Sequence, residues 1–388
     1  MNRNLSQNIF EPTNNSIIKT PDNHVALIKN LSQAISLLPS GQYVIFFDLL
    51  NNDCKIDAVS IKGELFTLSI CDLDRLVSKN FGYMYIGSEG VYDLKHGELL
   101  KDSLNNDSDF SINFISNNGR LFLGSRKGDL ESIWIREINK DWEKIITKSE
   151  IPFVLDFPIF SPDQKKVAFI RMGIPHSNEN GLYVADISTC GLSFERCLPK
   201  ISERLSDCTT DYSAWSPDSL SVSCVSDGLE VFSLSDYSKK IILTKNDTPT
   251  GIGRHAWSPD GKWIAFTSAK KQSTGKQGLF DLYLIPAQGG QSKILLQSIS
   301  TPGVIAWLNK TKPFSIGNKY LILPMGKNQN VFQDTLGKTV VKKLDTNDLI
   351  EISDGPITNN LGEWWKIVIG KDEGWILFNE DMFQDYIH

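Results

Sequence analysis

Three short stretches of the chain place polar side chains just ahead of an aromatic residue and a Ser-Pro-Asp turn. Asp156 precedes Phe160, Asp211 and Tyr212 precede Trp215, and Arg254 and His255 precede Trp257. Two carboxylates, a phenol, a guanidinium and an imidazole are the groups that move protons and hold anions. Arg126 and Arg171 follow the strands that come after comparable turns, as do Lys127, His176 and Lys270. If the chain brings these positions to one place, they form a polar binding or acid–base site. The same residue types also line solvated surfaces that bind nothing, so the elements that carry them decide the matter.

Those elements repeat. Phe160-Ser161-Pro162-Asp163 leads into KKVAFI and then Gly181 to Asp186. Trp215-Ser216-Pro217-Asp218 leads into SVSCVS and LEVFSL, and Trp257-Ser258-Pro259-Asp260-Gly261 into KWIAFTS and Asp281 to Ile285. An aromatic ends a short strand, Pro presets φ, Asp accepts backbone N–H groups, and Gly accepts positive φ. Alternating β-formers then give a second strand, and further strands follow. Fainter copies contain Phe114 with Asn117-Asn118-Gly119, residues 37–47, GYMYIG after Phe81, and Ala306 to Asn309 followed by Tyr320 to Leu323. The anchors fall near 38, 81, 114, 160, 215, 257 and 307. A period of this length is the mark of a propeller of four-stranded blades.

The aromatic-Ser-Pro-Asp-Gly motif resembles the TolB-like, WD40-like propeller repeat, which is shared with the propellers of prolyl oligopeptidases and oligogalacturonate lyases. The likeness is specific in three copies over residues 157–290. It implies an all-β fold, a β-propeller of about seven blades, with six or eight also open. It implies little about function, because propellers host many unrelated roles.

The repeat assigns the candidate residues to a face. The Ser-Pro-Asp turns join first to second strands, so they mark one end of the ring. The starts of the first strands and the ends of the second strands lie at the other end, with Asp156, Asp211, Tyr212, Arg254, His255, Arg126 and Arg171. Asp163, Asp218 and Asp260 are read as turn acceptors rather than metal ligands or acids, and Trp215, Trp257 and Trp307 as packing between blades. One of Trp364 and Trp365 should be exposed, because neighbours on a strand face opposite ways.

Residues 1–24 read as a flexible arm and residues 25–388 as one propeller domain. Apolar spacing over residues 24–38 predicts a short helix. Residues 363–378 read as a hairpin that closes the ring against an N-terminal strand.

Bulk properties exclude several classes. Forty Lys and Arg against 46 Asp and Glu leave a net charge of -6, with no basic stripe for nucleic acid. No apolar run resembles a membrane span or a secretory signal, so the expectation is a cytoplasmic protein. The six cysteines form no CxxC pair, and with five scattered histidines no metal site and no cofactor are expected. The cysteines read as mostly buried thiols. There is no GxSxG elbow, HExxH or dinucleotide fingerprint, and Ser273-Thr274-Gly275-Lys276 lacks the rest of a P-loop.

Two functions remain. The first is a binding or scaffold propeller that holds a protein segment or small ligand at the channel mouth opposite the turns. The alternative is a propeller enzyme, a lyase or cyclase using Asp156, Asp211, Tyr212 and His255 on a sugar or small metabolite.

Overall fold

The computed structural model describes residues 21–388 apart from 51–52, 71–75, 87–89, 101–108, 147–153, 174–177, 191–198, 209–212, 248–250, 271–278, 301–304, 311–313, 360 and 387–388. Six four-stranded sheets follow one another along the chain. Blade 2 spans Leu76–Val77 to Glu98–Leu100, blade 3 Phe110–Ile115 to Glu143–Ile146, and blade 4 Val154–Phe160 to Lys200–Ile201. Blade 5 spans Ser213–Trp215 to Lys239–Thr244, and blade 6 His255–Trp257 to Lys293–Ile299. Blade 1 takes three strands from the N-terminal side, Gly41–Leu50, Asp53–Ser60 and Leu65–Ile70, and its innermost strand, Ile305–Lys310, from far downstream.

That last strand closes the ring. Gly41 to Phe46 pair antiparallel with Lys310 to Ile305. Trp307 therefore begins no seventh blade: it completes the first, and the ring has six. The expected closure by residues 363–378 does not occur. An inner strand whose hydrophobic face matches any blade is bound by the blade that lacks one, which removes the exposed edges of both.

The turn motif recurs in five blades with one geometry. Ser161 Oγ donates to Asp163 Oδ1 at 2.6 Å and accepts from Lys166 N at 2.9 Å. Ser216–Asp218 and Ser258–Asp260 repeat the first bond at 2.6 Å, and Ser78–Asn80 and Ser116–Asn118 at 2.7 Å. The aspartates are thus turn acceptors. The next residue is left-handed in every copy: Phe81, Gly119, Gln164, Ser219 and Gly261 have φ of 53°, 69°, 58°, 61° and 69°. Only glycine adopts this freely. Gln164 and Ser219 offset the cost across blades, since Asn118 Nδ2 donates to Gln164 Oε1 and Asp163 N to Ser219 Oγ.

The repeat tryptophans bind blade to blade. Trp215 Nε1 donates to Ile159 O at 3.2 Å, Trp257 Nε1 to Ser223 Oγ at 2.8 Å, and Trp307 Nε1 to Ala256 O at 3.0 Å. Each indole satisfies its polar atom on the preceding blade while its ring fills the seam.

The predicted helix is present as Pro21–Leu37, so residues 21–24 belong to it rather than to an arm. It lies on the outer strands of blades 1 and 2. Ile28, Leu31, Ala34 and Ile35 bury their side chains with Tyr43, Phe66, Phe81 and Tyr92, whereas Leu37 stays exposed.

Beyond the ring, the C-terminal strands form a seven-stranded sheet. Its order is Val340–Lys343, Asn330–Phe332, Asp372–Leu377, Gly362–Ile369, Leu349–Asn359, Lys319–Ile322 and Phe383–Asp385. Tyr320 to Ile322 thus belong to this sheet and not to a blade. Trp364 and Trp365 are both buried, contrary to the expected exposure of one. Trp365 joins the core with Phe314, and Trp364 packs against Phe332 on the other face. The sheet meets the ring at the turn face: Asn80 Nδ2 donates to Asp381 Oδ2 at 2.6 Å, Asn309 Nδ2 to Phe383 O at 2.8 Å, and Pro324 lies beside Gly261.

Trp307→Ala empties the seam at the closing strand and should cost about 3–5 kcal/mol. Equilibrium urea unfolding checks this; a loss below about 1 kcal/mol would contradict a role in closure.

Candidate functional site

Of the predicted polar residues, Arg126, Asp156, Arg171 and Arg254 are described at strand ends opposite the turns, and the structure gives them different surroundings. Asp156 is half-buried on the inner strand of blade 4, and its Oδ1 accepts from Phe157 N at 2.8 Å. Phe157 has φ of 52°, and the register shifts between Asp156 and Ile159. This bulge bends the strand entry and aims the carboxylate. Arg171, at the end of the second strand, is held by Glu179 at 2.9 Å and lies over the Tyr183 ring. Arg126 is exposed in blade 3, its guanidinium 5.8 Å from the ring centres of Phe110 and Trp134. Such stacking fixes the head of a long side chain while leaving its N–H groups available. Arg254 is partly exposed next to His255, and Lys127 is exposed. Lys270 is engaged with Ser298 and Asp281. Asp211, Tyr212 and His176 lie outside the described residues.

His255 does not face the mouth. It is 3% exposed, between blades 5 and 6, with Nε2 2.8 Å from Ser223 Oγ. The same Ser223 Oγ donates to Ala214 O at 3.0 Å and accepts from Trp257 Nε1. With its one proton given to Ala214, the hydroxyl accepts from His255, so Nε2 carries the hydrogen. Nδ1 is buried without a partner. Burial first, and the Lys79 charge second, push the imidazole down to about 3. It is therefore neutral at pH 7, a packing residue and not an imidazolium acid. The inner strand, His255–Trp257, is so short that its first residue already lies inside the seam, which position in the repeat alone does not reveal.

At the turn end, Lys79, Phe114, Phe160, Trp215 and Trp257 wall a cavity of about 60 Å³. Ligand pockets run to about 300–1,000 Å³, so this space suits a water or two. Lys79 was not foreseen as a lining residue, since it replaces the proline of the turn motif and obscures that copy.

A second group was missed beside the mouth. Cys208, in the connector between blades 4 and 5, and Cys224, on the second strand of blade 5, form a disulfide with Cα atoms 6.3 Å apart. Cys190 is disulfide-bonded as well, and no described cysteine is free. Cys190, Cys208 and Cys224, expected as buried thiols, are therefore paired sulfurs. Glu230 is 5% exposed beside this disulfide, within a group whose ligand atoms all lie within 4.8 Å of one another.

Acid should expose the His255 arrangement. The folded-state pKa of about 3 lies below the ordinary 6.5, so between these values the unfolded chain binds a proton that the folded chain does not. The stability contribution is complete above pH 6.5 and declines as pH falls towards 3. Urea midpoints at pH 7.5 and 5 should drop for the wild type and drop less for His255→Gln. Equal drops in the two would contradict the buried neutral imidazole.

No protein-family model matches the sequence, and no curated protein matches it. Among solved structures, TolB from Acinetobacter baumannii is 16% identical, with 75% of this chain and 74% of that chain covered and a TM-score of 0.45. Oligogalacturonate lyase from Vibrio parahaemolyticus is 10% identical, with 66% and 74% covered and a TM-score of 0.41. An oligogalacturonate lyase in complex with manganese is 11% identical, with 65% and 73% covered and a TM-score of 0.40. The fold itself rests on the chain's own strand order and turns: it is a six-bladed β-propeller built on a repeated serine–aspartate or serine–asparagine turn.

Proposed function

We propose that the ring is a binding propeller that holds a protein segment or a small polar ligand at the channel mouth opposite the Ser-Pro-Asp turns. The observation that carries this reading is the asymmetry of the two ends. The turn end meets the C-terminal sheet through Asn80, Asn309 and Gly261, and aromatic side chains narrow its channel. The other end presents exposed Arg126 and Lys127 and partly exposed Asp156 and Arg254, groups of both signs on separate blades. Several fixed charges on a rigid ring favour recognition of a complementary polar partner.

The enzymatic alternative loses one of its four groups, because His255 is neutral and buried. A lyase or cyclase would then depend on Asp156, Asp211 and Tyr212 for proton transfer. The disulfides bear on the compartment: paired buried cysteines persist where the surroundings are oxidising, which supports a location outside the reducing cytoplasm.

The test compares affinity capture from native lysate by the wild type and by Asp156→Ala/Asp211→Ala/Arg254→Ala, with proteins and small molecules identified by mass spectrometry. The binding reading predicts a protein or metabolite whose retention falls about tenfold or more in the variant, equivalent to ~1.4 kcal/mol. Identical captures would place binding elsewhere. A metabolite that the wild type retains and chemically converts would favour the enzyme.

A further inference from the structure

The paired cysteines stand beside a buried carboxylate, and three separate segments bring the group together. Cys224 and Glu230 are direct cross-strand partners in the hairpin of blade 5, so their side chains share a face. Gly228 permits the tight passage between them, since any Cβ there would meet the carbonyl of Leu243. Cys208 arrives on the connector from blade 4. Leu182 N donates to Ser206 O at 3.0 Å, and the connector passes so close to Gly181 that a side chain there would strike the Ser206 carbonyl. Ser206 Oγ then lies 3.1 Å from Cys208 Sγ and 3.2 Å from Glu230 Oε2. Cys208, Cys224 and Glu230 are all buried.

A buried carboxylate demands a positive neighbour, and Lys239 supplies one at 2.8 Å from Glu230 Oε1. That ammonium reaches in from the surface, with its side chain 46% exposed. The place therefore already favours a cation. In the oxidised chain the sulfurs are joined and one negative charge is matched by one positive charge. In a reduced chain, two thiols and a carboxylate occupy the same small volume. Two thiolates and a carboxylate are a ligand set for a thiophilic divalent ion such as zinc. Tetrahedral zinc with bonds of about 2.3 Å to sulfur sets neighbouring sulfurs about 3.8 Å apart. Once the S–S bond is broken the two sulfurs must part from bonding distance to meet that, while Glu230 already has a carboxylate oxygen within 4.8 Å of both. The Ser206 hydroxyl offers an oxygen as the fourth ligand.

We propose that Cys208, Cys224 and Glu230 form a divalent zinc-type site in the reduced protein, which takes over from the disulfide in pinning the connector of blades 4 and 5. A dithiol reductant gives two electrons and two protons, the S–S bond breaks, and two thiols form. The metal then displaces the two thiol protons to solvent as two metal–sulfur bonds form, and Glu230 turns an oxygen from Lys239 to the ion. The site lies beside the mouth and does not depend on which ligand the ring binds.

Cobalt(II) is the probe, added to the full-length protein with and without prior reduction. The reduced wild type should bind about one extra cobalt per chain relative to Cys208→Ser/Cys224→Ser, with thiolate-to-cobalt charge-transfer absorption and intense tetrahedral d–d bands. The oxidised wild type should show neither band. Glu230→Gln should weaken cobalt binding about tenfold or more. The double variant subtracts any contribution of the other cysteines, and circular dichroism follows the fold of each sample. The proposal fails if the reduced wild type gives no thiolate bands, if the double variant gives the same bands, if Glu230→Gln binds equally well, or if the reduced chain unfolds and cobalt does not restore it.

Discussion

The pairing of Ile305–Lys310 with Gly41–Leu50 is the constraint on which the structure depends. Each other blade is made from continuous chain, and none of their hairpins by itself requires a ring. This pairing joins strands some 260 residues apart, and with the core that Val44, Phe46 and Val59 share with Ala265, Leu282 and Leu284 of blade 6 it converts a row of sheets into a closed body. The turn bonds and indole bonds between blades act on top of it. Trp307 serves both, since it sits on the closing strand and donates to Ala256 in blade 6. Closure also fixes where the chain leaves the ring. Asn309, at the end of the closing strand, donates to the carbonyl of Phe383, so the C-terminal sheet is held at the turn end. The asymmetry between the two mouths follows from that exit.

Much of the ring is legible in the sequence because its turns have a strict chemical requirement. The requirement is a serine followed two residues later by an Asp or Asn oxygen, then a residue that accepts positive φ. Ser161-Pro162-Asp163 states it openly. Ser78-Lys79-Asn80 and Ser116-Asn117-Asn118 state it without proline, which is why those copies are fainter. The blade number is harder to read. Ala306-Trp307 has the local pattern of any inner strand, and nothing local says whether it opens a new blade or completes an old one. That is decided by a partner at the far end of the chain. Trp364 and Trp365 mislead for a related reason: alternation places them on opposite faces, but packing on both faces buries both.

The candidate site is less legible because its residues lie at strand ends, where one position separates solvent from seam. Asp156 and Arg254 fall on the accessible side, whereas His255 falls inside and bonds Ser223. Arg171 is where the turn geometry places it, yet Glu179 from the following loop claims its guanidinium. The cysteines show the same limit in another form. Ligand patterns such as CxxC capture groups that share a loop. Cys208, Cys224 and Glu230 meet because a hairpin opposes two of them and a connector delivers the third.

Hydrogen–deuterium exchange of the intact chain tests the closed ring most directly, because it reads the closing strand itself. Amides of residues 305–310 that bond to blade 1 should exchange only through global unfolding, at the same free energy as amides of blades 4 and 5. Exchange of that strand at a much lower free energy, while those blades stay protected, would mean that the ring is open and that the six-bladed account is wrong.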